Sequence, residues 1–297
     1  MKRFFLAVAA IFTLNLASAQ TLRIAVYQYA DNPRIKNLQP FAARLQQESG
    51  LTTAVKSYPT VHALITAMQQ NEVDIAFTST FGYLLLQAGN TAHPMLPVAA
   101  LVAPNAKDNY KTAIVSKKGA GIASFADLKN SGAGKRLAFV ATGSTSGNLV
   151  PRLLLNGVGI DADRHFSSVQ YAGTHAKALA WLLSDSADVA AMGSTEWDKL
   201  DSAKKSSLQL LLLSSEIPLG PVLLNKAMNA QLQKQITDVL LALHQTNAPA
   251  LEAIKAAWSE AKQATHFISI GAGYYEPYLK QFGNRKDVEA TIKKFIQ

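Results

Sequence analysis

Residues 143–151 read Gly-Ser-Thr-Ser-Gly-Asn-Leu-Val-Pro, between the apolar run Arg136-Leu-Ala-Phe-Val and Arg152-Leu-Leu-Leu. A strand that turns through glycine and hydroxyl residues into a helix leaves the first backbone N–H groups of that helix unpaired. Those groups converge on one spot, and the helix dipole makes that spot favourable for negative charge. Ser144, Thr145 and Ser146 add three hydroxyl donors there, without a lysine. The chemistry this pattern suits is capture of an oxyanion by neutral donors. Taken alone, an ordinary helix cap at Ser144 or Thr145 is the simpler explanation. A nucleotide-binding P-loop is excluded, because no Gly-Lys-Ser/Thr follows.

The elements around the motif alternate. Leu22–Tyr27 predicts a strand, and Pro33–Glu48 a helix with Ile35, Leu38, Phe41 and Leu45 on one face, ending at Gly50. Thr52–Tyr58 predicts a strand, Val61, Leu64, Ile65 and Met68 a helix, and Val73–Phe77 a third strand. The grammar recurs as strand Thr112–Ser116, short helix Ser124–Lys129, strand Arg136–Val140 and the hydroxyl-led helix. Strand Phe166–Tyr171, helix Ala176–Leu183 and strand Asp188–Met192 follow. Leu208–Leu213 and Val222–Leu224 then flank Ile217–Pro221, before helices at Ala230–Thr246, Ala248–Trp258 and Val288–Ile296. No sequence repeat is present, only two similar βα series. The predicted class is α/β, with parallel sheets in two lobes and a ligand cleft between them. Pro94–Pro104 and Ile217–Pro221 are the expected crossovers, which places lobe 1 at 20–105 with 218–297 and lobe 2 at 106–217.

Ligands of such sheets sit beyond the carboxyl ends of the strands. Thr78, Ser79 and Thr80 follow one strand end and Ser144–Ser146 another. Both clusters are therefore candidate anion donors, although the first could equally cap the helix at Phe81–Leu86. Tyr27 and Tyr29 share a face if the first strand runs through both. His175 stands at a strand-to-helix junction. Tyr274, Tyr275 and Tyr278 read as packing of the C-terminal segment.

Lys2 and Arg3, the apolar run Phe4–Leu16 and the Ala17-Ser-Ala19 site have the three parts of a cleaved export signal. Thr13 and Asn15 interrupt the run too early for a membrane span. Residues 1–19 are expected to be removed, leaving a periplasmic protein that starts at Gln20. The chain has no cysteine, which excludes disulfides, thiolate catalysis and a lipid at the cleavage site. Losing Lys2 and Arg3 lowers the net charge from +9 to +7. A basic protein suits an anionic partner, but the lysines and arginines form no stripe with aromatic platforms, so nucleic acid is not expected. The six histidines include no i,i+4 pair, and neither metal nor cofactor is expected.

Taken together these residues resemble the phosphonate/phosphite-type solute-binding proteins of bacterial ABC importers, which have the type II periplasmic-binding-protein fold. The matching pieces are Pro40-Phe-Ala-Ala-Arg-Leu with Gly50, Val73-Asp-Ile-Ala-Phe, Ser144-Thr-Ser-Gly-Asn-Leu-Val-Pro151, Gly173-Thr-His175 and Ala187-Asp-Val-Ala-Ala. They fall in the family's order over about residues 22–225. The resemblance implies that Ser144, Thr145 and Ser146 hold a phosphorus oxyanion, that His175 contacts it, and that the partner is an importer's membrane permease. It also bears on Thr78, Ser79 and Thr80, which stand where the family often has a tyrosine or other large residue followed by glycine. Members that bind aminoalkyl phosphonates hold the ligand's ammonium with acidic residues. The corresponding candidates here are Glu196 and Gly220, and Gly220 has no side chain. The expected ligand is thus phosphate, phosphite or a short alkylphosphonate, captured by a monomer, with Tyr29 and Glu196 as further candidate ligand-binding residues.

Two other functions compete. A serine hydrolase would need Ser146 beside a base, with His175 and Asp188 as imaginable partners, but no nucleophile elbow is present. A periplasmic sensor that docks its loaded state on a receptor kinase would share both fold and pocket.

Overall fold

The computed structural model describes residues 21–296, so the export signal at 1–19 lies outside the described residues. Strand β1 (Thr21–Tyr27), helix α1 (Ile35–Ser49), β2 (Thr52–Tyr58), α2 (Val61–Gln69), β3 (Ile75–Phe77) and α3 (Thr80–Ala88) realise the first βα series. The helix starts follow from sequence: Thr60 and Ser79 accept from Ala63 N–H and Gly82 N–H, as N-cap hydroxyls do. Gly50 closes α1 at φ +69°, a left-handed position that favours glycine.

The next segment departs from expectation. Met95–Val102 is not a crossover but strand β4 of the first sheet. Pro97 lacks the N–H that a ladder needs. The pairing with β10 (Pro221–Asn225) shifts register at Val222/Leu223, where Leu223 faces Pro97. The irregularity is what lets a proline-bearing segment serve as a strand. The second series consists of β5 (Thr112–Lys117), β6 (Arg136–Phe139), β7 (Ser168–Tyr171), β8 (Val189–Gly193) and β9 (Leu208–Leu213). A last strand, β11 (His266–Ser269), pairs antiparallel with β4 and was not anticipated.

Two sheets result, ordered β11-β4-β10-β3-β1-β2 and β7-β6-β8-β5-β9. Both are mixed, which corrects the expectation of parallel sheets. β1 runs parallel to β2 and β3, and β6 to β7 and β8, whereas β10, β4, β11, β5 and β9 enter antiparallel pairs. The chain passes between the sheets in segments 103–111 and 214–220.

The sheets share a device that sequence did not announce. Arg23 N–H and its guanidinium bind Asp74 at 2.7–3.0 Å just before β3, and Arg136 binds Asp188 in the same way at 2.8–3.1 Å just before β8. Each pair pins a strand to the parallel neighbour beside it, β1 to β3 and β6 to β8. Helix faces then cover the sheets. Leu38, Phe41 and Leu45 of α1 are fully buried with Ile24, Val26 and Phe77, and such side chains cost about 2–5 kcal/mol each when cut to alanine. Tyr275 is buried, donates to the Leu219 carbonyl at 2.7 Å and lies tilted against Tyr83 with ring centres 5.5 Å apart, so the tyrosine patch is packing.

Gly220 sits where the second crossing presses on the end of β3. A Cβ there would lie 2.0 Å from the Thr78 carbonyl oxygen and 2.8 Å from Ser79 Cα. Gly220→Ala is expected to destabilise the protein by about 1–3 kcal/mol, because backbone must move to admit the methyl. Thermal denaturation checks it; an unchanged melting temperature would show that the crossing yields freely.

Candidate functional site

A cleft of about 230 Å³ lies between the sheets, lined from one side by Tyr29, Arg34 and Ser79 and from the other by Ser144–Ser146 and His175. A larger hollow of about 490 Å³, between α3 and the C-terminal helix, holds none of the candidate anion donors.

Ser144 is the N-cap, its Oγ accepting from Gly147 N–H at 3.1 Å. The turn it starts, Thr145–Leu149, is π-helical, with Leu149 N–H reaching back to the Ser144 carbonyl at 3.1 Å. As first residues of a helix, Thr145 and Ser146 have N–H groups with no carbonyl to bind. Thr145 Oγ1 accepts from Phe81 N–H at 3.1 Å, so it ties this turn to the start of α3. Ser146 Oγ makes no hydrogen bond among the described residues, and Ser146 lines the cleft. The turn is braced from behind: Asn148 donates to the Thr142 carbonyl, Arg152 donates to Asn148, and Arg152 grips Asp163 through two bonds, each at 2.8 Å. Arg152 also lies 4.6 Å over the Phe139 ring.

His175 opens a helix capped by Thr174. Its Nδ1 accepts from Gly193 N–H at 2.9 Å, which places the proton of the neutral ring on Nε2. Burial lowers its pKa below 6.5. The ring therefore takes up its proton on the acid side of 6.5, and at pH 7 it is a neutral donor. The sign follows from linkage: the unfolded chain binds the proton more readily, so this group's stabilisation is present above pH 6.5 and is lost as pH falls. His175→Asn is expected to melt with a shallower acid decline than wild type, read by thermal scans from neutral pH to about pH 5. Equal slopes would refute the lowered pKa.

Tyr29 reaches across the cleft to accept from His175 N–H at 3.0 Å, and burial pushes its pKa up to about 12, leaving the phenol proton to donate. Ser79 donates to the Gly143 carbonyl at 3.1 Å, also across the cleft. The other sequence candidates sit elsewhere. Thr78 Oγ1 is buried without a hydrogen-bond partner among the described residues, in a small hollow behind the cleft, and Thr80 donates to the Pro218 carbonyl at 2.8 Å. Glu196 pairs with Lys199 at 2.7 Å and does not line the cleft. Asp188 is held by Arg136 and does not support His175, so the imagined hydrolase triad is not assembled.

Two lining residues escaped the sequence. Arg34 is 2 % exposed and left-handed at φ 62°; its guanidinium lies 4.4 Å from the Trp258 ring centre, 4.5 Å from Tyr27 and 5.4 Å from Tyr29. Its Nε donates to the Ala257 carbonyl at 2.9 Å. Glu260 follows in the same loop. The wall is thus not built of neutral donors alone, as expected, but carries a caged cation. The aromatic residues were visible in sequence; nothing local tied residue 34 to 258.

Two mixed sheets, joined by two crossings around a cleft with helix starts on both sides, define a two-lobed solute-binding protein. A family model described as "ABC transporter, phosphonate, periplasmic substrate-binding protein" matches residues 24–268, and the chain belongs to that family. A probable ABC transporter phosphite binding protein, PhnD1 of Prochlorococcus marinus (strain MIT 9301), is 26% identical over 191 residues, which is 61% of this chain and 61% of that protein. XAC2383 from Xanthomonas citri, solved bound to ATP, superposes with a TM-score of 0.72 at 17% identity, covering 93% of this chain and 98% of that one. PhnD1 in complex with methylphosphonate superposes with a TM-score of 0.66 at 17% identity, covering 92% and 98%. At such identity these likenesses establish the fold.

Proposed function

We propose that this protein captures a small phosphorus oxyanion (phosphate, phosphite or a short alkylphosphonate) in the periplasm and delivers it to the permease of an ABC importer. The observation that carries the reading is convergence. The N–H groups of Thr145 and Ser146, the free Ser146 hydroxyl, neutral His175 and the Arg34 guanidinium all border one cleft. The family and its phosphite- and methylphosphonate-binding relatives support it. Lobe 1 comprises 20–105 and 218–297 and lobe 2 comprises 106–217. They hinge in the two crossings, and the ligand favours the closed form by bridging them. The protein acts as a monomer, without nucleic acid, and has no catalytic turnover: Ser146 has no base held by a carboxylate. Among the described residues no helix is long and apolar enough to cross a membrane.

Calorimetry and thermal shift with phosphate, phosphite, methylphosphonate and 2-aminoethylphosphonate test this. A ligand bound only to the folded state at a hundred times its Kd adds about 2.7 kcal/mol of stability. Binding of none of the four would reject the reading. The ligand is expected to carry no ammonium, since Gly220 has no room for a carboxylate and Glu196 is held by Lys199. Mass spectrometry of exported protein is expected to show Gln20 as the first residue. Retained Lys2 and Arg3 would refute removal of the export signal.

A further inference from the structure

Glu260 is the one acidic side chain lining the cleft among the described residues. It forms no ion pair there. Its recorded hydrogen bond is a long one from the Ser259 hydroxyl, at 3.5 Å. Arg34, on the same wall, gives its Nε to the Ala257 carbonyl and its faces to three aromatic rings. It thereby pins the loop that brings Glu260 into the cleft. The opposite wall is made of donors: the N–H groups of Thr145 and Ser146, the Ser146 hydroxyl and His175 Nε2.

An ionised carboxylate accepts hydrogen bonds and donates none. Set against an ionised oxygen of a guest, it opposes acceptor to acceptor and charge to like charge. Set against a P–OH, it forms a short charge-assisted bond. A cleft of donors with one lone carboxylate therefore fits an oxyanion that keeps one proton near neutral pH. Phosphorus oxyanions do so, with a second ionisation near neutrality; sulfonates carry no such proton. An ammonium is the other donor that Glu260 could meet. The space beyond Glu260, however, is a hollow of only about 40 Å³ walled by Phe77, Leu219, Ile254 and Trp258 along with Thr78, Ser79 and Thr80, where desolvating a cation is costly.

We infer that Glu260 reads the acidic proton of the ligand, admitting singly protonated phosphorus oxyanions and rejecting fully ionised sulfur oxyanions. This rests on the oxyanion-receptor reading above and names the ionisation state that the receptor selects. The titratable and charged groups around Glu260 are Tyr27 and Tyr29 at the end of β1, Arg34 before α1, Tyr110 in the first crossing and His175 on the facing wall. Glu260 itself, Glu196 and Lys199 all act on His175 through their charge. Burial lifts Tyr29 to about 12, lifts Tyr110 well above its ordinary value, and keeps His175 below 6.5. Across mildly alkaline pH the ligand's own proton is thus what changes.

The test is titration calorimetry with wild type and Glu260→Gln, using methylphosphonate, methanesulfonate and 2-aminoethylphosphonate from about pH 6.5 to 8.5. Wild type is expected to bind methylphosphonate at least about tenfold more weakly at the alkaline end, and methanesulfonate at least about a hundredfold more weakly than methylphosphonate. Glu260→Gln offers an amide donor, so it is expected to flatten the pH profile and to gain about tenfold for methanesulfonate. A flat wild-type profile with methanesulfonate bound equally well would overturn the inference while leaving the receptor reading intact. Tightest binding of 2-aminoethylphosphonate, lost in Glu260→Gln, would overturn it in favour of an ammonium partner. Absence of binding by every phosphorus oxyanion would instead fail the receptor reading, and this inference with it. The wild-type profile decides the matter even if the variant melts early.

Discussion

Ser146→Asp is expected to abolish phosphonate binding while the protein stays folded. The Ser146 hydroxyl is the one in the hydroxyl cluster with no hydrogen bond among the described residues, and it stands where the first N–H groups of the π-helical turn face the cleft. A carboxylate there satisfies those N–H groups from within and takes the place of the guest's charge. The helix dipole favours an acid in its first turn, so folding suffers little. A hydrogen bond to a charged group is worth about 1.5–3 kcal/mol, and here a repulsion replaces several. The affinity loss is expected to exceed about a hundredfold, against about tenfold for Ser146→Ala. Calorimetry with methylphosphonate checks both, with a melting curve to confirm the fold. Wild-type affinity in Ser146→Asp would return this motif to a helix cap.

The second large effect is expected at Arg34, and it is one of stability as well as binding. The guanidinium is caged by Trp258, Tyr27 and Tyr29 and bound to the Ala257 carbonyl. Cation–π contacts contribute about 0.5–2 kcal/mol each and the charged hydrogen bond about 1.5–3. Arg34→Ala is expected to cost about 3–5 kcal/mol, or about 6–15 °C in melting temperature for a protein of this size. Position 34 is left-handed at φ 62°, where a Cβ costs about 1–2 kcal/mol. Arg34→Gly is therefore expected to melt higher than Arg34→Ala, although both lose the cage. Differential scanning calorimetry of the pair is the check. If alanine proved the more stable of the two, backbone strain at this site would be disproved.

The same distinction separates what was legible in sequence from what was not. The motif at 143–151 announced a helix start, and a helix start it is, with Ser144 as cap and Ser146 free. Which hydroxyl does which task was not legible. Thr145 is engaged by Phe81 of the other lobe, a contact that exists only when the lobes meet. Thr78, Ser79 and Thr80 looked alike as a cluster. The turn from β3 into α3 sends them to a small hollow behind the cleft, the facing lobe and the crossing respectively.

By itself the sequence determined the local elements: two βα series, most strand and helix positions, the capped helix starts and the α/β class. Such signals lie within a few residues of each other, in side-chain periodicity and in hydroxyls that meet nearby N–H groups. Tertiary structure decided that Met95–Val102 is a strand, that the sheets are mixed, and that Arg34 and Glu260 share a wall of the cleft. Strand pairing and burial between distant segments settle these points, and the Arg34–Ala257 bond alone spans 223 residues. No local pattern encodes such a contact, because its energy is realised only once the sheets and helices between its ends have packed.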